Sequence, residues 1–469
     1  MSLDEATALA KRELEQLRYP AENWVLPRDG LLDVLVVGGG MCGQTATFAL
    51  LREGVTNLRC LDRAPRGREG PWTTFARMDL LRSPKHLTGP DLGIASLTYR
   101  AYHEAKFGVA HWETLHKIDR VEWARYLMWV RETVGIPVEN GVGVRTIELV
   151  PGAVRVHLEK GSVHARKVVL AMGREGSGAL RWPQFATFDP AKRAPGVFHS
   201  ADEIDFNRFK NRTIGILGAG ASAFDNAATA LETGAAAVHL FCRRAEIQLI
   251  QPYRWLTFRG FLRHFCDLDD AWRWRFMRAV LEMREGFPQA TYDRCVRHAN
   301  FYLHEGAPIE KTREMGRGVE LETPRGSFTA DFVICGTGID MNFTGRRELQ
   351  NCAGNIATWA DRYQPPADEP SRRLGRFPYL ADDYALSERV VGKTPWIADI
   401  HLFAIASTMS FGPSGSSINA MTTAIPKLVH GLTRGLFRAD IERHWASFRA
   451  YDVPQAVVAR PPVMTGEKR

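Results

Sequence analysis

Two short glycine runs carry the clearest chemistry in this chain. Gly38-Gly39-Gly40-Met41-Cys42-Gly43 and Gly218-Ala219-Gly220-Ala221-Ser222-Ala223 each follow an apolar, strand-like segment and precede a helical pattern. In the first run Gly38 permits a tight turn, Gly40 lets the backbone approach a pyrophosphate, and Gly43 lets the helix pack on the strand. The helix that follows offers the phosphates free N–H groups and the positive end of its dipole, and Cys42 lies inside the glycine turn as a small buried thiol. Asp62 stands 24 positions after Gly38, placed to accept hydrogen bonds from ribose hydroxyls, with Arg63 beside it. The second run offers Gly218, Gly220 and Ser222 to a second pyrophosphate, and Ala223 is small enough to replace the third glycine. Its far end differs. Cys242 stands 24 positions after Gly218 and is followed by Arg243 and Arg244. A carboxylate there would repel an adenosine 2′-phosphate, whereas arginines pair with it. The second site therefore favours NADPH over NADH, the alternative being that the two arginines form a solvated basic face.

The elements that must hold these runs repeat as well. Leu31 to Val37 reads as a buried strand, followed by a helix to about Glu53 and a strand over Leu58–Arg63. Ile214–Leu217, a helix to about Thr233 and Val238–Arg244 repeat that plan. Lys167–Gly173 and Asp331–Gly338 are apolar segments that end in glycine, each after an alternating, meander-like stretch (Val154–His157 and Val319–Glu322). They read as returning strands that close each sheet. The fold class is α/β: two Rossmann-like dinucleotide-binding domains, three-layered with a β-meander, and a helical insertion in the second. The expected layout is an N-terminal extension (1–30, with a polar helix over 4–18 capped by Asp4) and a first domain over 31–175. The second domain follows over 176–331, and residues 332–469 return to the first. Residues 247–300 carry Trp255, Phe258, Phe261, Phe265, Trp272, Trp274 and Phe276 at helical spacing. That pattern suits a packed helical subdomain or a lid over the substrate. Ala357–Arg376, with its prolines and charges, reads as a surface loop.

Bulk properties exclude several classes. The net charge of +8 comes from scattered basic residues, so a positive field for anionic dinucleotides explains it better than nucleic acid or a membrane surface. The seven cysteines form no CxxC pair, which argues against a disulfide framework, a zinc site and a redox dithiol. No apolar run approaches the ~20 residues of a membrane helix. A soluble, cytoplasmic protein is expected, with self-association left open.

Further motifs resemble the glutathione-reductase-like flavoproteins over nearly the whole chain, and within them the class B flavoprotein monooxygenases. That group holds the flavin-containing, Baeyer–Villiger and amine N-hydroxylating enzymes. Gly70-Pro71-Trp72 is similar to the Gly-x-Trp that contacts the flavin there, and Leu81-Arg82-Ser83-Pro84-Lys85 resembles a stretch at the flavin face. Pro195–Ser200 resembles the fingerprint before the second unit, and Cys335-Gly336-Thr337-Gly338 an Ala-Thr-Gly of the N-hydroxylases. Departures stand at Arg193, Pro195 and Glu203, where the fingerprint has Phe, Gly and an aromatic residue. The resemblance implies FAD at the first run and NADPH at the second, with Trp72, Val144, Gly173 and Gly338 among the cofactor contacts. It also implies oxygen transfer from dioxygen, through a 4a-(hydro)peroxyflavin, to a small organic substrate. Ser83, Lys85 and His86 are the catalytic candidates, a structural role for His86 being the alternative. The loop Gly412–Asn419, with Ser416 and Ser417, either faces the flavin pyrimidine from a helix N-terminus or is a plain cap. The competing functions are an NADPH-dependent flavin oxidase or quinone reductase, and a flavin-binding sensor.

Overall fold

The computed structural model describes residues 1–341, 343–413 and 417–458. Helix α1 (Leu3–Gln16) buries Ala6, Ala10 and Leu14, one stripe at helical spacing. Its N-cap is Ser2, not the expected Asp4. Ser2 Oγ accepts from the Glu5 N–H at 3.2 Å, while the Glu5 carboxylate accepts from the Ser2 N–H at 2.6 Å. That reciprocal box satisfies two backbone donors, and Asp4 is left in the first turn, facing the dipole.

β1 (Leu32–Val37), α2 (Met41–Arg52) and β2 (Leu58–Asp62) form the first βαβ unit. β1 is buried from Asp33 to Val37, as a parallel strand covered on both faces must be. Helices α3 (Tyr99–Phe107), α4 (Val109–Thr114) and α5 (Arg120–Val134) lead to β3 (Val138–Asn140). The meander is β4 (Val144–Val150), β5 (Ala153–Leu158) and β6 (Ser162–Leu170). β6 is long enough to pair antiparallel with β5 at its start and parallel with β1 up to Leu170. The strand order is β3-β2-β1-β6-β5-β4.

β7 (Ala179–Leu180) and β8 (Val197–His199) precede the second unit, β9 (Thr213–Leu217), α6 (Ala221–Glu232) and β10 (Ala237–Phe241). Helices α7 (Pro252–Leu256), α8 (Arg259–His264), α9 (Asp270–Met283) and α10 (Gln289–Val296) then intervene before β11 (Phe301–His304). The separate sheet of β12 (Lys311–Glu314), β13 (Val319–Thr323) and β14 (Gly326–Ala330) leads into β15 (Phe332–Cys335). β15 slots between β9 and β8, giving the order β11-β10-β9-β15-β8. β16 (Ile339–Asp340) pairs with β7, so the two crossings between units lie side by side.

The inserted helices pack as a subdomain around Phe261, Phe265 and Trp274, and their partners include Trp359 and Phe377. Those partners correct the reading of 357–376 as a surface loop. The segment contains α11 (Trp359–Arg362) and α12 (Arg372–Gly375), and the fully buried Trp359 ring lies 6.3 Å from Trp274. Its prolines and charges are polar punctuation around an aromatic anchor. β17 (Ile400–Leu402) then rejoins the first sheet beside β6. α13 (Thr408–Phe411), α14 (Met421–Ala439) and α15 (Ile441–Ala450) follow. Buried Arg166 ties this C-terminal segment to β1, lying 3.3 Å from Asp33 and 2.8 Å from Asp440. No described helix is long and apolar enough to cross a membrane.

Candidate dinucleotide and substrate cavity

The parallel central strands of the two sheets turn their carboxyl ends toward one cavity of about 1880 Å³. That exceeds the roughly 300–1,000 Å³ of a pocket for one small ligand. The wall includes Gly38, Gly40, Cys42, Asp62, Arg63, Trp72, Val144 and Gly173 from the first unit. From the second come Gly218, Gly220, Ser222, Arg243, Arg244 and Gly338.

The two glycine turns match at their first glycine. Gly38 has φ +104° and Gly218 φ +113°, and a Cβ on either would lie 2.6 Å from a carbonyl oxygen, of Ala171 or of Gly336. Only glycine fits there. A Cβ on Gly43 would stand 1.7 Å from Gly38 O. In the second unit Ala223 is accommodated because its neighbour Gly336 has no side chain: a Cβ there would lie 2.8 Å from that of Ala223. Gly43 and Ala223 thus sit behind the wall and set the helix against the strand. Gly40 and Gly220 are different. Both have ordinary φ, −71° and −85°. A Cβ on Gly40 would meet nothing nearer than 3.8 Å, and one on Gly220 nothing within 4 Å. At these two positions the fold itself leaves room for a side chain, and glycine leaves the helix N-termini bare toward the cavity.

The strand ends separate the two cradles chemically. Asp62 accepts from the Gly39 and Ala64 N–H groups, each at 2.7 Å, and burial raises its pKa against those two bonds. Each carboxylate oxygen retains a lone pair for a ribose hydroxyl. Cys242 replaces this acid, and the arginines after it part ways. Arg244 donates to the Met283 and Glu282 carbonyls at 3.1 and 3.0 Å, capping the C-terminus of α9. Arg243 is exposed and has no such partner among the described residues.

Sequence reasoning singled out the 81–85 stretch, and the structure distributes it. Arg82 lines the cavity and reaches across to Asp225 on α6 at 2.8 Å, clamping one unit to the other. Ser83, Lys85 and His86 do not line it. Lys85 Nζ donates to Trp112 O at 2.7 Å, and the His86 ring stands edge-on to Trp112 at 5.5 Å. Ser417 is likewise outside the wall, and Ser416 lies outside the described residues. Trp72 does face the cavity, braced edge-to-face by Trp123 at 6.4 Å. Cys42 also lines it, but burial pushes its thiol up to about 12, so it is an inert filler and no redox partner.

Three groups in the wall escaped the sequence reading. His199 is 2% exposed; its Nδ1 accepts from the Ala201 N–H at 3.1 Å, which leaves the proton on Nε2, near the Gly338 and Arg181 backbone but with no partner in hydrogen-bond geometry among the described residues. Burial lowers its pKa to about 4, keeping the ring neutral. Its place in the Pro195–Ser200 fingerprint was the available signal. Asn226, also 2% exposed, has an Oδ1 without a partner among the described residues. Arg284, at the end of α9, takes φ +68°, unusual for a side chain of its size. Burial lowers its pKa to about 10, helped by Arg373, Arg181, Arg243 and Arg244. A cation among cations calls for an anion. Buried unpaired polar atoms and an unneutralised arginine around two open glycine cradles fit phosphate-bearing ligands.

Comparison with known proteins agrees. The family model described as pyridine nucleotide-disulphide oxidoreductase matches residues 35–258. An FAD-dependent urate hydroxylase from Xanthomonas campestris pv. campestris is 36% identical over 464 residues, 97% of this chain and 98% of that protein. An ornithine hydroxylase from Pseudomonas aeruginosa shares the fold with a TM-score of 0.65 at 18% identity, over 87% of this chain and all of its own. An L-lysine 6-monooxygenase from Pseudomonas syringae does so with 0.65 at 20%, over 86% and 99%.

Proposed function

The chain belongs to the class B flavoprotein monooxygenases, and from that premise we propose that it uses FAD, NADPH and dioxygen to hydroxylate a small anionic heterocycle of the urate class. The substrate class rests on the full-length relative; the observation that carries the reaction type is the single cavity onto which both glycine cradles open. Bound FAD would supply the redox chemistry, taking hydride from NADPH and activating dioxygen. The chain's own part is position, charge and dryness. The Gly38–Gly43 turn and α2 hold the FAD pyrophosphate, and Asp62 holds its ribose. Gly218–Ser222 and α6 hold the NADPH pyrophosphate, with Arg243 toward the 2′-phosphate. His199 Nε2 offers a donor and Asn226 Oδ1 an acceptor to ligands in the wall. Arg181, Arg284 and Arg373 make that end of the cavity favourable for an anion. Oxygen transfer from a reduced flavin requires no acid–base pair of the chain's own. Seven free cysteines suit a reducing compartment, and we place the enzyme in the cytoplasm.

Urate added to the FAD- and NADPH-supplied protein under air should strongly accelerate NADPH oxidation and oxygen uptake, with loss of urate absorbance. Slow NADPH oxidation that ignores urate and yields one hydrogen peroxide per NADPH would favour the oxidase reading. A second expectation concerns retention of oxidised coenzyme by Gly218–Ser222, which keeps water from the reaction. Gly220→Ala should fold normally, because its Cβ enters open space. It should still raise peroxide released per NADPH consumed at matched reduction rates. An unchanged ratio would remove the shielding role.

A further inference from the structure

Cys266 and Lys427 meet outside the cavity wall. Cys266 follows α8 in the helical insertion, and Lys427 lies on α14, 161 positions later. Lys427 Nζ stands 2.6 Å from Cys266 Sγ. That is inside the roughly 2.9 Å usual for N–H···O, although sulfur is the larger atom. Asp267 attends both, its Oδ1 being 3.6 Å from each, and His264 holds the other Asp267 oxygen at 2.9 Å. The pair is accessible: the Lys427 side chain is 30% exposed, and Cys266 is the one cysteine that is not buried. Burial raises the Cys266 thiol against the pull of the Lys427 ammonium. Burial works to lower Lys427, but Cys266 and Asp267 beside it raise it on balance. Reaction here is favoured by proximity, not by acidity.

We propose that Cys266 and Lys427 form a redox modification site that closes under hydrogen peroxide into a covalent S–O–N bridge. In the first step the sulfur attacks one peroxide, the O–O bond breaks, and a sulfenic acid and water form. In the second, the sulfenic O–H and a lysine N–H are lost, the O–N bond forms, and a second peroxide is reduced to two waters. The pair thus gives up four electrons in all, and thiol reductants return them. Peroxide is the by-product that reduced flavin and dioxygen release when oxygen transfer misses, so the site would sense uncoupled turnover. The bridge ties the insertion to α14. Phe265, next to Cys266, already packs against Gly412, and the insertion supplies Tyr253 and Arg284 to the cavity wall. Closing the bridge therefore restrains that wall against the first unit.

The full-length flavoprotein, treated with a few equivalents of hydrogen peroxide, alkylated under denaturing conditions and digested, gives the test by mass spectrometry. The expected product joins the Cys266 and Lys427 peptides, heavier than their sum by one oxygen and lighter by two hydrogens. Alkylatable thiols fall by one, and dithiothreitol restores both peptides. Cys266→Ser and Lys427→Arg should each abolish the product. Recovery of Cys266 as free thiol or sulfinic acid with Lys427 unmodified would overturn the proposal, as would a junction without the oxygen. None of these outcomes depends on which substrate the cavity takes.

Discussion

Replacing Gly40 with valine should leave a folded protein that has lost its yellow colour. The substitution is well suited to separate binding from folding. Gly40 has φ −71° and a Cβ there would approach no atom closer than 3.8 Å, so the backbone is unstrained by a side chain and its first carbon has room. What it fills is the approach to the pyrophosphate at the N-terminus of α2. The affinity for FAD should fall by at least about tenfold, more than about 1.4 kcal/mol. The purified variant should melt like the flavin-free parent and show that parent's circular dichroism. Gly43→Ala is the contrasting control: its Cβ would sit 1.7 Å from Gly38 O, and insoluble protein is expected. A Gly40→Val protein that purifies with full flavin would remove FAD from the first cradle.

Arg243→Ala should weaken NADPH while sparing NADH. Arg243 follows the strand end where the first unit has its acid, it lines the cavity, and it is exposed with no hydrogen bond among the described residues. Loss of one charge-assisted contact costs about 1.5–3 kcal/mol, or roughly tenfold to a hundredfold in the KM for NADPH. The KM for NADH should change by less than about twofold, as that coenzyme lacks the 2′-phosphate. Arg244→Ala serves as the counterpart. Because Arg244 caps α9 through the Glu282 and Met283 carbonyls, its loss should act on both coenzymes alike and lower thermal stability. If Arg243→Ala affects both coenzymes equally, the phosphate is read elsewhere, with Arg284 the next residue to change.

Spacing along the chain determined the two βαβ units and the glycine turns that open on the cavity. Gly38, Gly40, Gly43 and Asp62 relate to one another through one strand, one turn and one helix. Those elements have fixed rises, so intervals in sequence become distances in space. The echo of 24 positions made the second unit legible for the same reason. Tertiary structure decided where long side chains spend their charge. Arg243 and Arg244 are adjacent and chemically alike, yet one caps a helix that ends 39 positions later and the other faces the cavity. Lys85 settles on the Trp112 carbonyl, while its near neighbour Arg82 crosses 143 positions to Asp225. Trp359 hid among prolines and charges until Trp274 was brought against it. A flexible side chain finds its partner among whatever the fold places within its reach, and those groups are remote in sequence and carry no local period. Backbone geometry is written in intervals between residues, whereas side-chain partnership is an outcome of packing.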